Sequence, residues 1–353
     1  MYGRPALVAA VDLRVVAHVR DGDDPGVVLS LSDLGVLERV SGASLREYAE
    51  RARERWQSFT GDPTPDRFRA LRGDDPAHLV KVALGETLLR HGRGAEPQWA
   101  VRVASEIPVG SGMGSSAAAA AALVTAALRL LGHEGDLEEV EAIVLDVERR
   151  QHGTPSGVDG AVVLRGGVQW VERAPSGGLR FEALPAALPL LAEIRVIDTG
   201  TPAQSTGEVV AAVRQLRDAD PKAFDGLLDQ LESAARRLRG ALVAGDSTAL
   251  ADAMHNAQRG LEAAGVVPSA VRELVRRIEA RGGAAKLSGA GALRGPGAGC
   301  LVVYHPHPAT LELGGLIAPD SLLPVRLGAE GLRRVGSARA DGDGAPPHAK
   351  ERS

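Results

Sequence analysis

The stretch Ile107-Pro-Val-Gly-Ser-Gly-Met-Gly-Ser-Ser-Ala117, running on through alanines to Ala122, decides how this 353-residue chain is read. Glycines at 110, 112 and 114 let the backbone approach a ligand and adopt conformations closed to other residues. Ser115 and Ser116 stand where a helix should begin. The unpaired N–H groups and the positive dipole end of that helix then face the loop. Such a loop can bind phosphate without a lysine. It is not the Walker pattern, which would place Gly-Lys-Ser/Thr here. A glycine turn that only caps a tightly packed Ala helix is the competing reading, and the motif alone leaves both open.

Two further segments carry candidate chemistry. In Glu148-Arg-Arg-Gln-His-Gly-Thr-Pro-Ser-Gly-Val-Asp159 a helix ending at Glu148 gives way to turn residues. Asp159 is then expected at the entry to a strand beginning near Ala161. Two carboxylates joined by a turn can divide labour, one holding a metal ion and the other accepting a proton. A solvated helix glutamate and a turn-forming aspartate would look the same. In Gly282-Gly-Ala-Ala-Lys-Leu-Ser-Gly-Ala-Gly291 a strand breaks into glycines that could cover a ligand, or form a plain hairpin.

Working outward, the length suits two domains. Apolar residues make up 44% and charged residues 24%, as in ordinary globular proteins; aromatics are only 3%, so Ala, Val and Leu must build the core. A net charge of -4 gives no general attraction to nucleic acid or an anionic membrane surface. The single cysteine, Cys300, excludes an internal disulfide and fits a reducing compartment. Asp12 and Arg14 interrupt any signal-like apolar run, and Ala117 to Leu128 is short of the roughly 18 residues of a membrane span. The expectation is a cytoplasmic protein.

Valine-rich runs from Ala6 to Val19 and from Val27 to Leu31 read as strands, and Ser44–Phe59 and Pro76–His91 as helices. Trp99–Ala104 is a strand, Leu137–Arg150 a helix, and Ala161–Val171 a strand with Gly166-Gly167 as a turn. Ala192–Asp198 is a strand. Helices follow between Thr206 and Arg281, broken near Asp220-Pro221, Gly245-Asp246 and Val267-Pro268. Ala284–Leu287 and Cys300–Tyr304 read as paired strands. A domain boundary is expected between Ala174 and Pro189, dividing the chain into 1–183 and 184–335, with a disordered tail at 336–353.

The three glycine-bearing segments, in this order, resemble the signature motifs of the GHMP kinase superfamily. GSGMGSSA resembles its phosphate loop, and KLSGAG the opening of its C-terminal glycine motif. Within the superfamily, HGTPSGVD from His152 to Asp159 and YGRPALVAAVDLR from Tyr2 to Arg14 are similar to the mevalonate kinase family, as is the helix MHNAQRGLEAAGV from Met254 to Val266. The resemblance implies a two-domain α+β fold, with an N-terminal domain like ribosomal protein S5 domain 2 and a ferredoxin-like C-terminal domain. It implies ATP and Mg²⁺ as cofactors and phosphorylation of the 5-hydroxyl of mevalonate. Gly110, Ser111, Gly112, Met113, Gly114, Ser115 and Ser116 would cradle the ATP phosphates, and Gly289, Ala290 and Gly291 would cover the nucleotide. Ser116 and Glu148 would hold the metal. Asp159 would take the proton of the attacking hydroxyl. A homodimer is implied by the resemblance alone.

The chain departs from the pattern in three places. The family's active-site lysine, which precedes the Tyr-Gly, has no counterpart, and the first lysine is Lys81 in a helical segment. The expectation is that the working protein carries roughly 15 or more residues before Met1, because an unpaired sheet edge would otherwise be left open. Ala292 to Pro296 reads as an insertion in the glycine motif, and Gly160 replaces the family's common Asn. Other GHMP kinases (phosphomevalonate, homoserine or sugar kinases) and a non-catalytic GHMP-fold regulator are the alternatives.

Overall fold

The computed structural model describes residues 2–92, 96–108, 111–175, 177–289, 291–307 and 318–335. Gly110, Ala290 and the tail at 336–353 therefore lie outside the described residues.

The N-terminal half begins with β1 (Ala6–Ala9), β2 (Val15–Asp21), β3 (Gly26–Leu31) and β4 (Val36–Val40), followed by helices α1 (Gly42–Gly61), α2 (Pro65–Arg72) and α3 (His78–His91). Strand β5 (Gln98–Ser105) leads to α4 (Ser115–Leu130), α5 (Leu137–His152) and α6 (Val158–Arg165), then β6 (Val168–Arg173) and β7 (Leu179–Ala183). The first sheet has the order β2-β5-β3-β4, with β3 and β5 parallel and the other neighbours antiparallel. Val27, Leu29 and Leu31 alternate into the core from β3 and meet Leu45 of α1, Leu84 of α3 and Leu123 of α4. Helix α4 turns Ala117, Ala120, Ala121 and Ala127 inward. Their small side chains let this helix lie close to its neighbours, so a core almost free of aromatics still fills its volume.

The region 161–165 is helical, where the sequence suggests a strand. The apolar run Gly160–Leu164 has both periods available. It is too close to its flanking turns for the pattern to choose, and packing of α6 on α4 and α5 settles it. Gly160 explains itself here: a Cβ would stand 2.9 Å from Val144 Cγ1, so a larger residue would push α6 off α5.

Strand β6 pairs with both β1 and β7 in a three-stranded antiparallel sheet. The 174–189 stretch thus contains β7, attached by hydrogen bonds to the N-terminal half. The rest comprises β8 (Ile194–Asp198), α7 (Thr206–Ala219), α8 (Pro221–Ala244), α9 (Ser247–Ala263), α10 (Ser269–Glu279), β9 (Ala284–Ser288), β10 (Cys300–Tyr304) and the short β11 (Leu322–Leu323). Each helix from α7 to α9 starts on a Ser or Asp whose side chain accepts the N–H three residues on, which is why the breaks fall where they do. Its sheet is antiparallel, in the order β11-β8-β10-β9. One face packs Leu287, Leu301 and Ile197 on Val271, Val275 and Ile278.

Among the contacts that join the halves, two involve the core and the backbone. Trp170 of β6 is buried with Leu250 and Met254 of α9. The chain also returns after β11: Gly328 N–H donates to Ala10 O, Gly167 N–H to Ala329 O, and Leu332 N–H to Val163 O. No helix among the described residues is long and apolar enough to cross a membrane.

Candidate active site

Helix α4 opens on Gly114, whose φ of +72° places it in the left-handed region and which gives no side-chain cap. The first N–H groups of α4 are consequently free to meet an anion. Gly112 has φ +73°, and the hydroxyl of Ser111 is buried without a hydrogen-bond partner. Met113 and Gly114 line a cavity of ≈ 1260 Å³ between the halves, together with Asp159 and Ser288. The glycine segment of the C-terminal half closes directly on this loop. A Cβ on Gly112 would be 3.6 Å from Gly289 Cα, and one on Gly299 would be 2.9 Å from Ser111 O. Gly291, at φ +76°, lies against Val266 O, where a Cβ would come within 2.3 Å.

Asp159 stands in the first turn of α6, after Gly157 at φ +81°. A Cβ on Gly114 would lie 3.7 Å from Asp159 Cβ, so the carboxylate flanks the phosphate loop. Burial pushes its pKa up, whereas the N-terminus of α6 favours its charged form. The turn before it is clamped from α1. Trp56 Nε1 donates to Gly153 O at 2.7 Å, and the Phe59 ring occupies the space a Cβ on Gly153 would need.

Glu148 is on the last turn but one of α5 and is 4% exposed. Burial raises its pKa to about 7; a hydrogen bond from Ser116 works against this and the nearby Asp159 charge adds to it. Its Oε1 is buried with no hydrogen-bond partner. Ser116 Oγ lies 3.0 Å from His152 Nε2, which is 3.9 Å from Glu148 Oε2. The His152 imidazole is held neutral, its pKa lowered to about 4 by burial and by Arg72. An orphaned carboxylate oxygen, a hydroxyl and a second carboxylate nearby form a set of hard oxygen donors that suits Mg²⁺. This ion binds through one or two carboxylates together with substrate phosphates. Among the described residues no three His, Cys, Asp or Glu cluster as an all-protein metal cage.

The structure brings Ser111, Gly112, Met113, Gly114, Ser115, Ser116, Glu148 and Asp159 together, with Gly289 opposite; Gly291 packs on Val266 within the C-terminal half, and Gly110 and Ala290 are outside the described residues. Lys81 is elsewhere, held by Glu38 at 2.7 Å and Asp75 at 2.8 Å. The insertion at 292–296 is a built loop. Leu293 and Arg294 N–H donate to Gln204 Oε1, and Ala298 N–H donates to Thr199 Oγ1. The sequence reading gave His152 no role, although it lies inside the quoted motif. Trp56 and Phe59 carried no signal beyond helix periodicity.

Two family models match, "GHMP kinases N terminal domain" over residues 78–167 and "GHMP kinases C terminal" over 238–301. The first spans the phosphate loop, Glu148 and Asp159; the second spans Lys286 to Gly291. A mevalonate kinase of Thermococcus sibiricus is 28% identical over 342 residues, covering 94% of this chain and 92% of the relative. A mevalonate kinase of Mus musculus is 29% identical over 333 residues, covering 85% and 80%. Among solved structures, a crystal structure of mevalonate kinase superposes with a TM-score of 0.70 at 19% identity, over 93% of this chain and 94% of that one. With its two-domain α+β fold and both motif-bearing halves matched, the chain belongs to the GHMP kinase superfamily.

Proposed function

We propose that this protein is an ATP-dependent kinase that phosphorylates the 5-hydroxyl of mevalonate. The observation that carries the reading is Asp159, a buried carboxylate on a helix N-terminus against the glycine loop. Near-full-length similarity to curated mevalonate kinases selects the acceptor.

In this reading the loop from Gly110 to Ser116 cradles the ATP phosphates through its N–H groups, while Gly289, Ala290 and Gly291 cover them. Ser116 and Glu148 hold Mg²⁺, which neutralises charge on the phosphates when bound. Asp159 accepts the hydroxyl proton as the oxygen attacks the terminal phosphorus. The bond from that phosphorus to the bridging oxygen breaks, and ADP leaves. Positioning and charge neutralisation supply most of the acceleration. His152, neutral at physiological pH, orients the Ser116 hydroxyl. The division at residues 183 and 184, a cytoplasmic location and a homodimer belong to the same reading; sedimentation velocity tests the last.

The test is ATP turnover by the full chain with mevalonate, phosphomevalonate, homoserine and galactose as separate acceptors, for wild type and Asp159→Asn. Mevalonate should be preferred. Asp159→Asn should lose about a thousandfold or more in kcat with a thermal midpoint no lower than that of wild type, because Asn keeps the shape but cannot take the proton. Preference for another acceptor would overturn the substrate, and near-normal turnover in the variant the mechanism.

A further inference from the structure

The chain uses arginine almost throughout as its basic residue; its lysines are Lys81, Lys222, Lys286 and Lys350. Lys81 is neutralised by two carboxylates, and Lys222 is exposed on α8. Lys286 is different. It lies on β9 opposite Val302 of β10, which in turn faces Val196 of β8. These three side chains share the face of the C-terminal sheet that lines the cavity holding Asp159. Lys286 Nζ donates to Leu287 O at 2.8 Å, and no carboxylate among the described residues pairs with it. Burial alone lowers its pKa, to about 8, with no opposite charge nearby to raise it.

A half-buried ammonium beside Val302 with one carbonyl acceptor is poorly satisfied, because a charge withdrawn from water is costly until it is paired. Other cations of the cavity cannot substitute for it at this depth. Arg14 is committed to Glu330 O and Gly331 O, while Arg20, Arg129, Arg333 and Arg334 are exposed. Lys286 also stands at a defined place relative to the phosphate loop. Gly289, which abuts Gly112, is three residues further along, roughly 10 Å at the rise of a strand. Lys286 therefore lines the same cavity as Asp159, with its Cα set back along β9 from the phosphate loop.

We propose that Lys286 is the cationic anchor of the acceptor substrate, binding its carboxylate from the floor of the cavity while the hydroxyl meets Asp159. This rests on the reading of the protein as a mevalonate kinase. It adds the requirement that the acceptor be an anion at the end opposite the reacting hydroxyl. A compact ammonium on a flexible stem fits beside Val302, where a planar guanidinium would need more room.

Full-length wild type, Lys286→Met and Lys286→Arg are compared for the KM of mevalonate and of ATP, and for turnover of the neutral amide of mevalonate. Charge-assisted hydrogen bonding predicts that Lys286→Met raises the mevalonate KM about 10- to 100-fold, with the ATP KM within about threefold. Lys286→Arg should recover part of the loss. Wild type should discriminate strongly against the amide, and Lys286→Met should not. The unchanged ATP KM reports that the variant is folded. An ATP KM that rises with the mevalonate KM unchanged would assign Lys286 to the nucleotide and overturn the proposal. So would a Lys286→Met enzyme that still prefers the acid over the amide. If wild type ignores mevalonate altogether, the acceptor assignment itself fails, which is a different result.

Discussion

Glu148 is placed where its charge is useful and expensive. Burial raises its pKa to about 7, above the ordinary carboxylate value it would have in the unfolded chain. Between those two values the folded protein binds more protons than the unfolded one, so stability falls as pH rises through the window. The penalty is complete above the folded pKa and absent below the unfolded one. Glu148→Gln should therefore be more stable than wild type at pH 8 without metal or nucleotide, and its advantage should vanish near pH 4.5. The same variant should lose most Mg–ATP-dependent turnover, because a neutral amide replaces a charged oxygen donor. Denaturant midpoints at the two pH values check the first part. Equal stability at pH 8 would mean that the carboxylate is compensated in the apo protein. Site residues of this kind were legible in the sequence because glycines and carboxylates had been set at special spacings. Lys286 was not singled out, since nothing in KLSGAG tells a paired lysine from an unpaired one.

At the scale of the elements, the close approach of α1 and α3 depends on Gly85. A Cβ there would stand 2.3 Å from Leu45 O and 2.8 Å from Ala49 Cβ. In an isolated helix, Gly to Ala gains about 1 kcal/mol. Here the backbone of α1 must yield, and overpacking of this kind costs about 1–3 kcal/mol or more. With backbone rather than a side-chain tip in the way the clash wins, and Gly85→Ala should lose stability by about 1–2 kcal/mol net. Gly226, exposed on α8 with nothing within 4 Å of its Cβ position, supplies the contrast: Gly226→Ala should gain about 0.5–1 kcal/mol. Urea midpoints of both variants test the pair, and a stabilised Gly85→Ala would contradict the helix spacing. The helices from α7 to α10 were readable because their Asp, Ser, Gly and Pro boundaries act locally. Helix α6 was not, because its short core Gly160-Ala-Val-Val-Leu164 suits either period and only contacts with α4 and α5 decide. Strand β7 was masked in the same way by the turn residues around it.

At the scale of the whole molecule, the site exists only while the two halves are held at one separation. Gly299 sets part of that separation, since the C-terminal glycine segment touches the phosphate loop backbone there. Its φ is +82°, and an added Cβ would be 2.9 Å from Ser111 O. Gly299→Ala therefore does two things. It forces a left-handed alanine, costing about 1 kcal/mol, and it wedges the C-terminal half away from Ser111. Gly265 separates the two effects, because it has φ +75° with nothing within 4 Å of its Cβ position. Gly265→Ala carries the same kind of backbone strain without the wedge. Both variants should lower the thermal midpoint by a few degrees. Only Gly299→Ala should raise the ATP KM, by about tenfold or more, and lower kcat with it, since a misplacement of about 1 Å can cost on the order of a hundredfold in rate. Equal ATP KM values for the two variants would show that closure against Ser111 is not what shapes the nucleotide site. A loss confined to Gly299→Ala would place the phosphate loop's geometry under the control of the opposite half.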